Sequence, residues 1–279
     1  MGGARSSSPD GRRRMSPMGM ELPRLRSGAR LAPWVPLLAL PLALLGWELI
    51  VREARVPVYL VPAPSVILST LWAERGLYLQ ATGVTLGEAA AGLALGMGVA
   101  LALAVATAFW PPLERAIMPL VLLLKAIPLV AIAPILTLWL GFGPLPKVLM
   151  TALLTFYPAL VPLMTGLRAV DPAALELLRA WDASAWEIFR HLRWPSARPY
   201  TFAALKTAIP LALIGAVVAE WTGASGGLGR TMWLAQTNLD MPRLFAAALI
   251  LAAISLAGYT GAALLERRAR WWSLEEAHP

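Results

Sequence analysis

Residues 82–109 read TGVTLGEAAAGLALGMGVALALAVATAF, and Glu88 is the one side chain in this stretch that ionises. A helix needs about 20 predominantly apolar residues to cross the hydrocarbon core of a bilayer. The run is long enough, and we place a span at 83–108. Further apolar runs at 34–51, 116–140, 147–166, 199–221 and 244–264 bring the predicted number of transmembrane helices to six. The whole chain agrees with this reading: 58% of its 279 residues are hydrophobic and 14% are charged, where soluble domains carry about a quarter charged residues. The expected fold class is an all-α integral membrane protein, in contact with the lipid bilayer.

The composition excludes several chemistries. Cysteine is absent, which rules out disulfides, thiol nucleophiles and thiolate metal sites. With two histidines, His191 and His278, a histidine-rich metal site is not expected. No HExxH occurs, and no catalytic residue and no metal is assigned. The formal charge of +8 comes almost entirely from arginine, the lysines being Lys125, Lys147 and Lys206. A basic excess in so apolar a chain reports which loops stay in the cytoplasm; no nucleic-acid partner is expected.

Charge also sets orientation. Residues 1–30, rich in Gly, Ser, Pro and Arg, read as a disordered cytoplasmic arm, within which Met15, Met18 and Met20 are alternative starts to Met1. The first run, WVPLLALPLALLGWELIV, is overlong for a signal peptide, and the following REARVPVY lacks a small-x-small cleavage site. With the N-terminus inside, the arm, the second-to-third connection, residues 168–198 and the residues after the last span hold sixteen Lys and Arg. The other side holds six. The positive-inside rule selects N-in, C-in. The permeation unit is placed at 31–270, with a cytoplasmic loop at 167–198 and a cytoplasmic tail at 271–279.

Within the spans, Gly92 and Gly96 stand four apart, a spacing that lets helices approach closely. Pro119, Pro128 and Pro134 fall in the third span, and Pro158 and Pro162 in the fourth. Such kinks suit a moving pathway and also occur in plain structural spans. Three ionisable residues are candidates for the pathway or a gate. Glu88 lies about one turn inside the outer end of its span, either as an interfacial carboxylate or facing a cavity or partner. Lys125, three residues before Pro128, either pairs within the bundle or lines the pathway. Glu220 ends the fifth span, at the outer gate. The stretch GASGGLGR at 223–230 lacks the spacing of a phosphate loop and reads as a flexible external turn.

The loop at 176–195, ELLRAWDASAWEIFRHLRWP, is charged and rich in tryptophan between two apolar runs. Asp171-Pro172 is a helix start, aspartate as N-cap and proline at the first helical position. Leu175, Leu178 and Trp181 then form an apolar face. Ser184 with Glu187 three residues later fits a capping box, and Trp186, Phe189 and Leu192 form a second apolar face. Pro195 and Pro199 are expected to stop this second helix. Two short amphipathic helices joined by a tight turn result, with a surface to offer.

This loop resembles that of importer permeases of the ATP-binding-cassette (ABC) type. The family carries Glu-Ala-Ala, three residues, Gly, nine residues, then Ile-x-Leu-Pro. Here Glu176 is followed by Leu177 and Leu178, then Arg179, Ala180 and Trp181, with Asp182 in the glycine position. Ala183 opens the nine-residue interval, after which come Leu192, Arg193, Trp194 and Pro195. The spacing and the proline match; the two alanines and the glycine do not. VPAPSVILSTL at 61–71, AIPLVAIAPILTLWLGFGPLPKVL at 126–149 and IGAVVAEWTGASGGLG at 214–229 resemble the nitrate, sulfonate and taurine permease group. The resemblance covers roughly 57–264.

It implies a type I importer fold and a transport subunit without an ATPase site of its own. ATP would be bound by separate ATPase subunits, onto which Glu176, Leu177, Leu178, Trp181, Asp182, Ala183, Trp186, Leu192 and Pro195 would dock. An extracytoplasmic binding protein would deliver substrate to a homodimer of permeases in the bacterial inner membrane. Permeases for nitrate and taurine tend to be basic near Glu88; those for thiamine-precursor pyrimidines or riboflavin tend to be acidic. The substrate is thus expected to be a small organic anion or a heterocyclic vitamin or precursor. An autonomous secondary transporter or channel is the alternative, and would show inverted repeats and more mid-membrane charge.

Overall fold

The computed structural model describes Gly2 and residues 35–269; the predicted arm at 1–30 (Gly2 aside) and the tail at 271–279 lie outside the described residues. The chain divides into one unit ending at Ala43 and a second from Leu44 onward. Of the first unit, the description covers the opening of helix α1. The regular structure among the described residues is helical. The helices are α1 (Val35–Glu53), α2 (Pro64–Ala73), α3 (Arg75–Phe109), α4 (Pro111–Ala126), α5 (Leu129–Leu140), α6 (Leu145–Arg168), α7 (Pro172–Ala180), α8 (Ala185–Ile188), α9 (Trp194–Glu220), α10 (Leu228–Thr237) and α11 (Met241–Ala269). Among the described residues four helical stretches are long and apolar enough to cross a membrane, or five if the bent pair α4–α5 counts as one. Large apolar side chains such as Leu79, Leu122, Leu138 and Leu256 point outward along them, which suits a lipid surrounding rather than water.

The second unit is organised around α3, α6 and α9, which meet through small residues. A Cβ at Gly92 would collide with the Thr151 side chain and the Val148 carbonyl, and one at Gly96 with Thr155 and Ala152. From the other side Gly215 of α9 reaches the Cα of Thr151, and Gly166 of α6 lies against Tyr200. Ala100, Ala104, Ala159, Ala204, Ala208 and Ala216 are fully buried along the same seams. Without a hydrophobic force between helices in lipid, such backbone approach and its dispersion contacts are what hold the bundle.

The contacts also fix relative direction. Residues 88, 92 and 96 of α3 meet 147, 151 and 155 of α6 in order, so α3 and α6 run parallel. Gly215 meets Thr151 whereas Tyr200 meets Gly166, so α9 is antiparallel to α6. Lys206 pairs with Glu266 at 2.6 Å, and Ile209 faces Gly258; α11 therefore runs against α9. Because α3 and α6 are parallel, α4 and α5 must carry the chain back between them. They do so with a bend of 98°, Pro128 standing at the break as the N-cap of α5.

Two expectations need correction. Pro195 and Pro199 do not stop the second helix of the 167–198 segment. The chain continues from α8 through a π-helical turn, Phe189–Arg193, into α9, with Pro195 near its start and Pro199 inside it. Proline lacks an N–H and its ring crowds the carbonyl four residues back. The wider turn, in which the Trp194 N–H reaches the Phe189 carbonyl, takes up that misfit, and the Ser196 hydroxyl occupies the Leu192 carbonyl at 2.8 Å. Second, Gly227 and its neighbours do not form a free external turn; they seat a buried carboxylate, as described below.

The packing yields a paired test. Gly92→Val should destabilise the fold by about 1–3 kcal/mol through overpacking. Gly98→Ala, where an added Cβ meets nothing within 4 Å, should be neutral or stabilise by up to about 1 kcal/mol. Thermal unfolding of the purified protein in detergent compares the two; equal effects would refute the close-approach argument.

Candidate functional site

The segment between α6 and α9 is built by local capping. The Asp171 carboxylate accepts the Ala173 N–H at 3.0 Å and starts α7. At its end the Ala183 N–H reaches the Leu178 carbonyl at 3.0 Å and the Asp182 N–H reaches Arg179 at 3.1 Å. These two bonds close a Schellman motif, with Asp182 at φ +53°. That is the left-handed region glycine enters freely and aspartate tolerates, so Asp182 keeps the turn that the family's glycine makes. Ser184 then caps α8: its hydroxyl accepts the Glu187 N–H at 3.3 Å, while its own N–H reaches the Glu187 carboxylate at 2.7 Å.

Tertiary contacts hold this segment against the ends of α3 and α4. Phe189 is buried among Phe109, Trp186 and Trp194, with ring centroids 5.2, 5.5 and 6.3 Å away. The Arg193 guanidinium donates to the Ala108 carbonyl at 2.6 Å, and Arg168 pairs with Glu114. Leu175, Leu178, Ala183 and Leu192 turn partly inward, and Glu176 and Asp182 lie in solvent. Leu177, Trp181 and Trp186 are left 52%, 72% and 58% exposed. Large apolar groups so exposed on an ordered, doubly capped segment are not part of its core.

At the opposite end of the bundle a buried polar cluster has formed. Glu88 and Lys147 pair at 3.3 Å with both side chains more than nine-tenths buried. Glu88 is therefore not an interfacial carboxylate, and Lys147 lies inside the first turn of α6. The second Glu88 oxygen has no hydrogen-bond partner, and the Glu220 carboxyl group is its neighbour. Glu220 is fully buried. It accepts from the Thr85 hydroxyl at 2.6 Å, from the Gly229 N–H at 2.5 Å and from the Arg230 N–H at 3.3 Å. The Leu228 N–H donates to the Thr85 hydroxyl at 2.8 Å. A carboxylate from the end of α9 thereby satisfies the free N–H groups that open α10. Gly227, at φ +107°, and Gly229 leave the space that it fills; a Cβ at either would strike it.

Lys125 and Pro128 are not part of this cluster. Lys125 Nζ sits 4.5 Å above the Tyr157 ring, a cation–π contact beside the α4–α5 break. On the flank of α9 a cavity of about 340 Å³ is lined by Leu213, Val217, Trp221, Leu251 and Ser255, among others. The buried Trp221 indole N–H has no partner. The sequence reading passed over Thr85, Lys147, Gly227 and Trp221. For the glycines there was a signal: VVAEWTGASGGLG puts a carboxylate within ten residues of a glycine-rich helix start.

Residues 80–271 match the family model of the binding-protein-dependent transport system inner membrane component. The chain belongs to the permeases of ABC transporters. Among its relatives, the riboflavin transport system permease protein of Chloroflexus aurantiacus is 38% identical over 90% of this chain and 95% of that one. The formylaminopyrimidine transport permease protein of Halalkalibacterium halodurans is 34% identical over 79% and 88%. A putative aliphatic sulfonates transport permease protein of Bacillus subtilis is 28% identical over 90% and 92%. A solved structure described as an amino acid ABC transporter with histidines shares the fold, with a TM-score of 0.58 at 19% identity over 71% of this chain and 97% of that one. The permease is accordingly a multi-pass membrane transport component and not an enzyme.

Two outcomes follow for the permease. Lys147→Met should cost about 3–5 kcal/mol by leaving Glu88 buried without its cation, and adding Glu88→Met should recover most of the loss; thermal unfolding of both variants reads this. At the turn, Asp182→Gly should gain about 0.5–1 kcal/mol and Asp182→Val should lose about 1–2 kcal/mol. A loss of stability in Asp182→Gly would mean that the carboxylate itself is needed.

Proposed function

We propose that the chain is the permease subunit of an ATP-driven importer, six-spanning with both termini inside, working as a homodimer in the bacterial inner membrane. Separate ATPase subunits bind ATP, and an extracytoplasmic binding protein delivers the substrate. The observation that carries this reading is the exposed Leu177–Trp181–Trp186 surface, held by a Schellman turn and a capping box at the family's spacing. The helix directions support it as well. Parallel α3 and α6, with α9 and α11 alternating, place residues 168–198 and Glu266 at one end. The Glu88–Lys147–Glu220 cluster takes the other. Trp47 of α1 lies 5.9 Å from Phe245, near the start of α11, so the C-terminal part of α1 lies at the cluster end. The arginine-rich end is then the cytoplasmic one.

For the substrate we infer a heterocyclic vitamin or precursor of the riboflavin or thiamine-precursor pyrimidine class in preference to a small sulfonate or nitrate-like anion. Relatives named for riboflavin and formylaminopyrimidine are more similar than those named for sulfonates. Glu88 is acidic where an anion would favour a base, and its charge is matched by Lys147. The apolar cavity lined by Trp221 suits a flat heterocycle.

Reconstitution with the ATPase and binding protein tests the reading. ATP-dependent uptake of riboflavin or formylaminopyrimidine into proteoliposomes is expected, with a sulfonate as the comparison. Trp181→Ala, at a position 72% exposed, should lower uptake and ATPase stimulation by about tenfold or more, while the thermal unfolding of the permease stays unchanged. Substrate flux through the chain alone without ATP would overturn the importer reading in favour of an autonomous carrier.

A further inference from the structure

Arginines gather where α3, α4 and α6 end against the 168–198 segment, in excess of anything the docking surface requires. A cavity of about 540 Å³ there is lined by Thr107, Glu114, Arg115, Arg168 and Arg193, among others. A second, of about 220 Å³, shares Ala108, Pro111 and Arg193 with the first and adds Arg179. Arg193 therefore stands on the wall between them, partly buried and anchored on the Ala108 carbonyl. Arg168 and Arg179 both lie close enough to repel it.

Against these four guanidinium groups the two linings supply one carboxylate, Glu114, and Arg168 already pairs with it. Like charges brought together without compensation repel, and partial burial weakens the screening that water and salt would give. Two of the four are held in place, Arg193 by the Ala108 carbonyl and Arg168 by Glu114. What remains is a cleft of positive charge that is open to solvent and unfilled by side chains.

We propose that this arginine cleft binds a phosphate-bearing anion. Planar guanidinium forks match phosphate oxygens two at a time, and a doubly charged group offsets the excess better than a single carboxylate. The larger cavity exceeds what bare phosphate fills, so a phosphate ester such as an anionic lipid headgroup also fits. Bound there, the anion ties Arg115 of α4 and Arg168 of α6 to Arg193 of the π turn, and so stiffens the base of the docking segment. The assignment does not depend on which solute the permease carries.

The test uses the purified full chain. Thermal unfolding is followed in detergent with inorganic phosphate against chloride at matched ionic strength, and in nanodiscs of phosphatidylglycerol against phosphatidylcholine. A rise of the midpoint with phosphate and with phosphatidylglycerol supports a site for the phosphate group itself. A rise with phosphatidylglycerol alone supports a lipid headgroup site. Arg115→Gln and Arg179→Gln, both at exposed positions, should not lower the midpoint in chloride, since each relieves like-charge repulsion, and should weaken the response about tenfold each. No response above chloride in any arm overturns the proposal. So does a response that appears only when the ATPase subunit is added, since the cleft would then be a protein contact.

Discussion

The bundle depends on one place where no Cβ fits. Thr151, in the middle of α6, is met from one side by Gly92 of α3 and from the other by Gly215 of α9. Both approaches bring backbone within van der Waals reach, so three helices are locked in rotation and in register at once. The register then propagates by turns of four. One turn from the Gly92–Thr151 contact lies Glu88 opposite Lys147, and one turn the other way lies Gly96 opposite Thr155. The ion pair sits where it does because the small residues set the spacing. In lipid, a buried charge displaced by one turn would lose its partner and have no water to replace it.

From the same register follows the difference between the two ends. At one, Glu220 leaves α9 level with Thr85 and meets the N–H groups that open α10. A buried carboxylate is tolerable there because three donors point at it. At the other end arginines outnumber carboxylates, and the 168–198 segment stands on the Phe189–Phe109 contact together with the Arg168–Glu114 pair. The first end buries its charged groups; the second displays tryptophan and cationic groups.

Much of this was legible in the sequence wherever the cause is local. Asp171-Pro172, the Asp182 turn and the Ser184/Glu187 capping box each involve residues within a few positions, and each was readable from spacing alone. The Gly92/Gly96 spacing announced close packing, though not its partner. What escaped reading is non-local or depends on a rarer backbone. Glu88 and Lys147 are far apart in sequence, and nothing in either segment names the other. The role of Gly227 needs the carboxylate of Glu220 beside it, so the loop looked merely flexible. Pro195 was taken to end a helix because that is what proline does in an α-register; a π turn of five residues changes the register and removes the objection.

That π turn bears on how the two ends communicate. Ala185 to Glu220 forms a single helical element of 36 residues, roughly 54 Å at the α-helical rise. Its first turns carry the exposed Trp186, and its last residue is the carboxylate that seats α10. A load on Trp186 therefore reaches Glu220 through one continuous rod and needs no chain of separate contacts. The weakest section of the rod is the π turn, where hydrogen bonds are longer in register and two prolines follow. Directly beside it, Arg193 is held by the Ala108 carbonyl, so the rod is braced at the point where it would otherwise bend. If docking and gating are coupled in this subunit, the brace at Arg193 decides how much of a displacement is absorbed locally and how much arrives at the far end.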